Sequence, residues 1–461
     1  MPAPLHIVVL AAGQGSRMKS ALPKVLHPLA GQSLLHHVLG AARALRPDGL
    51  HVVIGHGADS VRDATPGTDI EWVVQQEQLG TGHAVARALP GIHKSARVLV
   101  LYGDVPLTGT ATLQRLADAI DSNTLALLTV TLADPTGYGR IIRDERGTVK
   151  AIVEEKDADD IQKGIREVNT GILGGPAQRF REWLPALSAN NAQGEYYLTD
   201  VIALANQQDL AVDVTQPDTP EEVQGVNNRQ QLAALERWFQ WQRAEELMAG
   251  GVTLADPSRV DIRGRTETGQ DIFMDVNVVM EGTVTIADEV HIGPNVCLKD
   301  CTVGRGARLE ANSVVDQARI DSGAIIGPFA RIRPDTVVSE DARVGNFVET
   351  KKAFIGRGSK VNHLSYIGDT TLEGGVNVGA GTITCNYDGV NKHHTMVAQG
   401  AFIGSNTSLV APVDLGRNST VGAGSTITRD VGEGELAIAR GRQRNIPEWG
   451  SSPDDGTDQG E

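Results

Sequence analysis

Arg17 and Lys24 flank a turn, Gly13-Gln14-Gly15-Ser16, whose backbone amides can hold phosphate oxygens, so the two cations bring fixed charge to a ready anion cradle. The turn is not a dinucleotide fingerprint, because Met18 stands where the last glycine belongs. Nor is it a P-loop, because no Gly-Lys-Ser/Thr follows. A plain structural turn is the competing reading. A second candidate is Asp104, delivered by the apolar run Val98-Leu99-Val100-Leu101 through Tyr102-Gly103. A lone carboxylate at the carboxyl end of a strand is well placed for magnesium, which takes one or two protein oxygens and the rest from phosphate and water. A solvated turn aspartate would look the same. The third is His363, in Asn362-His363-Leu364-Ser365-Tyr366 just downstream of Lys351-Lys352. Imidazole titrates near neutrality and can act as a general base, although a lone histidine is more often structural or merely exposed.

Short apolar runs at residues 7–10, 51–54 and 96–101 read as strands, separated by helix-compatible stretches at 34–45 and 112–120. That order predicts a mostly parallel α/β sheet, and ligands of such sheets bind beyond the carboxyl ends of the strands, where Arg17 and Asp104 fall. The first strand is expected to pass through the glycine turn directly into a helix. Residues 229–249 are helix-compatible throughout, with Asn228 placed to cap the first turn and Gly250-Gly251 to end the last. The predicted organisation is a nucleotide domain over 1–229, a helical linker over 230–250 and a repeat domain over 251–461, with an acidic disordered tail from about 447.

The repeat domain announces itself by period. Val397, Ile403, Leu409, Leu415, Val421 and Ile427 stand six positions apart, as do Ile320, Ile326, Ile332, Val338 and Val344 upstream. Six is the period of a hexapeptide solenoid, a parallel β-helix in which the aliphatic points inward and the glycine that often follows it leaves room at the bend. Three hexapeptides per coil would make roughly ten coils, a prism on the order of 50 Å long. Aromatics at 4% and 52 glycines suit a core of small branched side chains. The period breaks at 384–394, Thr384-Cys385-Asn386-Tyr387-Asp388-Gly389-Val390-Asn391-Lys392-His393-His394, an insertion that projects from the rod and is a natural place for function.

A net charge of −15 argues against nucleic-acid and anionic-membrane partners. Three cysteines, Cys297, Cys301 and Cys385, fit no paired zinc spacing and read as reduced thiols. No apolar run approaches the length of a membrane span. A cytoplasmic protein is expected.

The segment Leu10-Ala11-Ala12-Gly13-Gln14-Gly15-Ser16-Arg17-Met18, followed by Pro23-Lys24, resembles the sugar-1-phosphate nucleotidylyltransferases, with Ser16 where many relatives have threonine. Gln75, Gly80-Thr81, Gly137-Tyr138-Gly139-Arg140, Glu154, Asn169-Thr170-Gly171 and Gly225-Val226-Asn227-Asn228 extend the resemblance. Joined to the hexapeptide rod, these motifs resemble the bacterial bifunctional enzymes that combine N-acetylglucosamine-1-phosphate uridylyltransferase with glucosamine-1-phosphate N-acetyltransferase. The resemblance implies a Rossmann-like α/β nucleotidyltransferase domain followed by a left-handed parallel β-helix, assembled as a homotrimer. It implies two reactions. Acetyl-CoA acetylates glucosamine 1-phosphate, and UTP then converts N-acetylglucosamine 1-phosphate to UDP-N-acetylglucosamine, the precursor of peptidoglycan and lipopolysaccharide.

By the same resemblance, Ala11, Ala12, Gly13, Gln75, Gly80 and Thr81 hold uracil and ribose, while Gly139, Glu154 and Asn169 hold the sugar. Leu10, Lys24, Tyr102, Gly103 and Asp104 also contact substrate, Asp104 and Asn227 bind Mg2+, and Arg17 and Lys24 stabilise charge on the transferring phosphoryl group. In the rod, His363 is the implied base. Arg333, Lys351, Tyr366, Asn377 and Lys392 surround the sugar phosphate, Asn386 and Tyr387 orient amine and acyl group, and Ala380, Ser405, Ala423 and Arg440 contact acetyl-CoA. The alternative is a nucleotidylyltransferase of single function whose β-helix serves assembly or regulation.

Overall fold

The computed structural model describes residues 3–447 and 449; the acidic tail expected to be disordered lies almost wholly outside them. The chain divides into two compact units, the first ending at Arg243 and the second beginning at Ala244. That boundary falls inside a single helix, Arg229–Ala249, whose first turn is capped by Asn228 Oδ1 accepting from the Gln231 amide at 2.8 Å.

Nine strands build the main sheet of the first unit: β1 (Leu5–Ala11), β2 (Gly49–Ile54), β3 (Ile70–Val74), β4 (Arg97–Tyr102), β5 (Thr124–Thr131), β6 (Arg140–Arg143), β7 (Val149–Val153), β8 (Glu167–Pro176) and β9 (Ala211–Thr215). The sheet order is β9-β5-β8-β4-β1-β2-β3, with the β6–β7 hairpin attached through β8. β1 lies parallel to β2 and β4. Side chains alternate across a strand, so Ile7 and Val9 enter one core with Leu39 and Leu116, while Val8 enters the other with Val85 and Phe180. Helices on both faces explain why β1 is an unbroken apolar run rather than an alternating one. The sheet is mixed, because β8 runs antiparallel to both β4 and β5.

The helix expected directly after the glycine turn is not there. A 3-10 turn, Ser16–Met18, follows β1, another spans Lys24–Leu26, and the first α-helix starts at Leu34. Gly15 (φ 62°) and Lys19 (φ 48°) are left-handed on either side of the first turn, which stops helix propagation. A Cβ at Gly15 would also lie 2.6 Å from Lys24 Cβ, so the glycine is what lets Lys24 fold back against the turn.

The second unit is a rod. One face is a ladder of eleven strands running from Val252–Leu254 to Leu436–Ala437, and the other two faces join in a fifteen-stranded sheet. Every strand pairing in it is parallel, as in Ile326↔Val344, Val344↔Val361, Val361↔Val378, Val378↔Ile403 and Ile403↔Val421. These registers give coils of 18, 17, 17, 25 and 18 residues. The 17-residue coils lose one residue at a corner, between Thr350 and Ile355 and between Ile367 and Leu372, so the inward aliphatics stay in phase. The 25-residue coil holds the insertion; Ile383–Cys385 remains strand, which trims the loop to 386–394. All eleven of the period-six aliphatics are buried. The glycines beside them face the next coil, and a Cβ at Gly345 would stand 2.1 Å from the Asn362 carbonyl oxygen.

Candidate active sites

The carboxyl ends of β1 and β4 open into a cleft of about 600 Å³. Leu10, Ala11, Ala12, Gly13, Arg17, Lys24, Gln75, Gly80, Thr81, Tyr102 and Asp104 all line it, so the first unit gathers these expected residues at the edge that strand topology favours. Gly103 joins the two strand ends by donating its amide to the Leu10 carbonyl at 2.9 Å. Gln75 is buried, and its Nε2 donates to the Gly80 carbonyl at 3.2 Å. Arg17 donates to Asn227 Oδ1 at 2.8 Å, and Lys24 pairs with Asp104 while standing 3.4 Å from the same Asn227 oxygen. The Val226 amide donates to the Asp104 carbonyl at 2.8 Å, tying the start of the long helix to the end of β4.

Buried Glu222 holds that arrangement from behind. One carboxylate oxygen accepts from the Gly109 amide (3.1 Å) and Thr112 Oγ1 (2.9 Å), the other from the Asp218 amide (3.0 Å). It thereby clamps the approach to Asn227 onto the segment beyond Asp104.

Gly139, Glu154 and Asn169 form a neighbouring group. The Asn169 amide donates to the Gly139 carbonyl at 2.8 Å, and Thr199 Oγ1 donates to Glu154 at 3.1 Å. Asn169 sits at a register shift in β8, a bulge of the kind that re-aims side chains near sites. Burial raises the Glu154 carboxyl above the ordinary carboxylate range, with Asp200 and Asp157 adding to the effect against the Thr199 hydrogen bond. Tyr102 bridges this group to Asp104: burial first, then the Glu154 charge, pushes its hydroxyl far upward, so it stays a neutral donor.

In the rod, His363 ends a strand and occupies the corner position of its coil. Its carbonyl accepts from the Gly381 amide at 3.3 Å, the Ala380 carbonyl from Asn406 at 2.7 Å, and the Ser405 carbonyl from Gly424 at 2.8 Å. Arg440 donates to the Ala423 carbonyl at 2.5 Å. His363, Ala380, Ser405 and Ala423 are therefore stacked along one edge, one coil apart, with Arg440 folded over the end. Adjacent coils lie about 4.8 Å apart, so the column spans roughly 15 Å. Asn377 opens the strand beside it, paired with Phe402.

Arg333 and Lys351 stand at the next corner, where Arg333 donates to Glu349 at 2.6 Å. Lys392 pushes the Lys351 ammonium pKa down, and Arg333 adds to it, against the opposing pull of Asp369. Asp369 accepts from Asn386 Nδ2, and Tyr366 lies over Gly368 between the two corners. The insertion is internally fastened: Asp388 pairs with His393 at 2.7 Å and accepts from the Val390 and Asn391 amides, contacts that hold its carboxyl well below the usual range. Tyr387, exposed, donates to the Gly389 carbonyl at 2.5 Å.

Comparison with known proteins decides what these two constellations belong to. A MobA-like NTP transferase domain model matches residues 7–167, and a model for the hexapeptide repeat of succinyl-transferase matches residues 397–429. The bifunctional protein GlmU of Marinobacter nauticus is 60% identical over 446 residues, covering 97% of this chain and 98% of that protein. The GlmU of Stutzerimonas stutzeri is 60% identical over 446 residues, with 96% and 98% covered. This chain belongs to the bifunctional GlmU family. A solved nucleotidyl transferase from Methanothermobacter thermautotroptrophicus, 22% identical, covers 51% of this chain and 97% of its own at a TM-score of 0.38. The three-sided parallel coil and its hexapeptide repeat are consistent with a left-handed β-helix.

Two oxygens of the cleft in the first unit fit a divalent cation. Asp104 and Asn227 converge on one point already taken by a cationic group, the Lys24 ammonium, and a carboxylate plus an amide carbonyl is a hard donor pair that leaves most positions to phosphate and water. Among the described residues no cluster of three or more His, Cys, Asp or Glu side chains forms a closed metal cage. No described helix is long and apolar enough to cross a membrane. Cys297, Cys301 and Cys385 are all free.

Other cleft residues had no sequence signal. Gln78 and Glu195 line the same cleft, and Thr199 and Asp200 shape the surroundings of Glu154. Glu195 arrives because the segment after it is zipped to the Gly80 turn, with the Tyr196 amide donating to the Leu79 carbonyl and the Gly82 amide to the Tyr196 carbonyl, both at 2.8 Å.

Proposed function

We infer that the two units divide the two activities of this family between them. The chain is an acetyltransferase and a uridylyltransferase of UDP-N-acetylglucosamine synthesis. One observation carries both halves together: identity at 60% runs through 97% of the chain, so neither unit is an unrelated fusion.

In the first unit, UTP binds with uracil and ribose against Ala11–Gly13, Gln75, Gly80 and Thr81, and the acceptor sugar sits by Gly139, Glu154 and Asn169. The sugar phosphate oxygen attacks the α-phosphorus in line and pyrophosphate leaves. Arg17 and Lys24 face the charge that grows on the transferring group, and such preorganised charge is the main catalytic device when no protein nucleophile is used. Tyr102, whose hydroxyl burial keeps neutral, can donate a hydrogen bond without adding repulsion to the phosphates. Asp104 and Asn227 would hold Mg2+, which when bound neutralises triphosphate charge.

In the rod, the glucosamine 1-phosphate phosphate group meets Arg333, Lys351 and Lys392, with Tyr366 and Asn377 beside them. The crowding of Lys351 by Lys392 and Arg333, which lowers its pKa, is a repulsion that a phosphate dianion would relieve. Acetyl-CoA lies along the column Ala380, Ser405, Ala423, whose small side chains leave the edge open, with Arg440 toward its phosphates. His363 takes a proton from the ammonium group so that the amine can attack the thioester carbonyl, and Asn386 and Tyr387 orient the reactants; CoA departs as the thiol. Exposed Phe329 and Phe347, stacked at 5.3 Å beside this corner, support a homotrimer in which neighbouring rods cover the edge. Light scattering on the purified chain tests that assembly.

One assay tests the division of labour. With acetyl-CoA, glucosamine 1-phosphate, UTP and Mg2+, free thiol and pyrophosphate are followed separately. His363→Ala is expected to abolish thiol release yet leave pyrophosphate formation from N-acetylglucosamine 1-phosphate intact, and Asp104→Ala to do the reverse. Loss of both activities in either variant would refute two independent sites, and a wild-type chain that releases no thiol would leave the rod as scaffold.

A further inference from the structure

We propose that Asn346 is the positioning residue of the acetyl-transfer base, fixing both the ring orientation and the tautomer of His363; this rests on the reading of His363 as the base. Asn346 is the register partner of His363 on the adjacent coil. Its Oδ1 lies 2.8 Å from His363 Nδ1. An amide oxygen can only accept, so Nδ1 carries the proton and Nε2 keeps the lone pair, the form a base needs.

The backbone is pinned around the same point. The Leu364 amide donates to the Asn346 carbonyl at 3.1 Å, and the His363 carbonyl accepts from Ser365 Oγ at 2.8 Å as well as from Gly381. Leu364 is held left-handed at φ 49°, which turns the chain just past the ring. His363 itself is exposed, so without Asn346 neither packing nor burial would fix its ring.

The identity of the acceptor matters chemically. A carboxylate at this place would stabilise imidazolium and retard proton uptake at a given pH, because the base would already be protonated. A neutral amide orients the ring without placing a charge beside it. The ammonium substrate needs such a base near neutral pH.

Three variants in the full chain test the assignment, read through acetyl-transfer kcat, KM and pH profile with uridylyl transfer measured alongside. Asn346→Leu, similar in size but unable to accept, is expected to lower acetyl-transfer kcat on the order of tenfold to hundredfold with little change in KM, as misorientation of a reacting group does. Asn346→Asp is expected to retain the ring contact but move the acid limb of the kcat profile to higher pH. His363→Ala is the reference. If it retains acetyl transfer, the reading of the base fails. If it is inactive while Asn346→Leu matches wild type and Asn346→Asp leaves the acid limb unmoved, the base stands and the positioning role falls. A loss of Tm with unchanged kcat and pH profile would likewise assign Asn346 to rod stability alone and overturn the proposal.

Discussion

The two sites are assembled by opposite means. The cleft of the first unit collects residues from segments as far apart as Leu10, Gln75, Tyr102 and Glu195, each delivered by a different strand end or loop. The edge of the rod proposed for acetyl-CoA repeats one structural position, coil after coil, as His363, Ala380, Ser405 and Ala423. A cleft of the first kind depends on each loop being held independently, so its weak points are the clamps. An edge of the second kind is as straight as the rod, and its weak points are the sizes of the side chains that repeat along it.

The sharpest test of this contrast is charge removal in the cleft. Lys24→Ala takes away the cation that reaches both Asp104 and Asn227. Uridylyl-transfer kcat is expected to fall by roughly 10²–10³, the loss typical of one preorganised stabilising group, with thiol release unchanged. Equal loss of thiol release would mean that the units do not act separately. Next in size is crowding of the edge. Ala423→Phe should raise the KM for acetyl-CoA at least about tenfold by filling a position where the column is open, while Tm stays near wild type because the side chain points outward. An unchanged KM would remove Ala423 from the coenzyme path.

What the sequence made legible follows the same division. Period six located eleven inward aliphatics of the rod, from Ile320 to Val344 and from Val397 to Ile427, because a solenoid translates a spacing directly into a place. The strands of the first unit were legible as apolar runs for an equally local reason. The helix after β1 was misread because the left-handed conformations of Gly15 and Lys19, not composition, end the turn. Glu195 and Gln78 were invisible, since they are brought to the cleft by backbone hydrogen bonds between segments that share no pattern. Glu222 reads from sequence as one more surface acid, and only its position between Gly109 and Asp218 shows it to be a clamp.

That clamp gives a smaller effect than charge removal in the cleft. Glu222→Gln keeps the shape but replaces one acceptor oxygen with a donor facing other donors. The cost is expected at about 1–3 kcal/mol of stability in urea unfolding, as for a buried hydrogen-bonding group left unsatisfied. Uridylyl transfer should fall roughly tenfold through displacement of Asn227. A stable variant with full activity would show that Asn227 is held without Glu222, by the Asp104–Val226 hydrogen bond and by its own contacts with Arg17 and Gln231.

The smallest effect concerns a polar chain within the first unit. His6 Nδ1 lies 2.9 Å from His51 Nε2, and His51 Nδ1 lies 3.2 Å from Glu71. With both imidazoles neutral, His6 Nδ1 can donate to His51 Nε2, while His51 Nδ1 is buried near Glu71 without a hydrogen bond to it. Burial lowers the pKa of both rings, outweighing the opposite pull of Asp48 and Glu71 on His6 and of Glu71 on His51. A depressed histidine means that the unfolded chain binds protons first as pH falls below the ordinary imidazole value of about 6.5, so stability is full above that pH and declines below it. His27 and His37 are lowered by burial too and contribute to the same decline. The pair is therefore isolated by difference: between pH 7.5 and 5.5 the Tm of a His6→Gln, His51→Gln double variant should fall less steeply than that of the wild type, by a few degrees over the range. Parallel slopes would show that the buried chain takes up its proton as readily folded as unfolded, which would require Glu71 to outweigh burial.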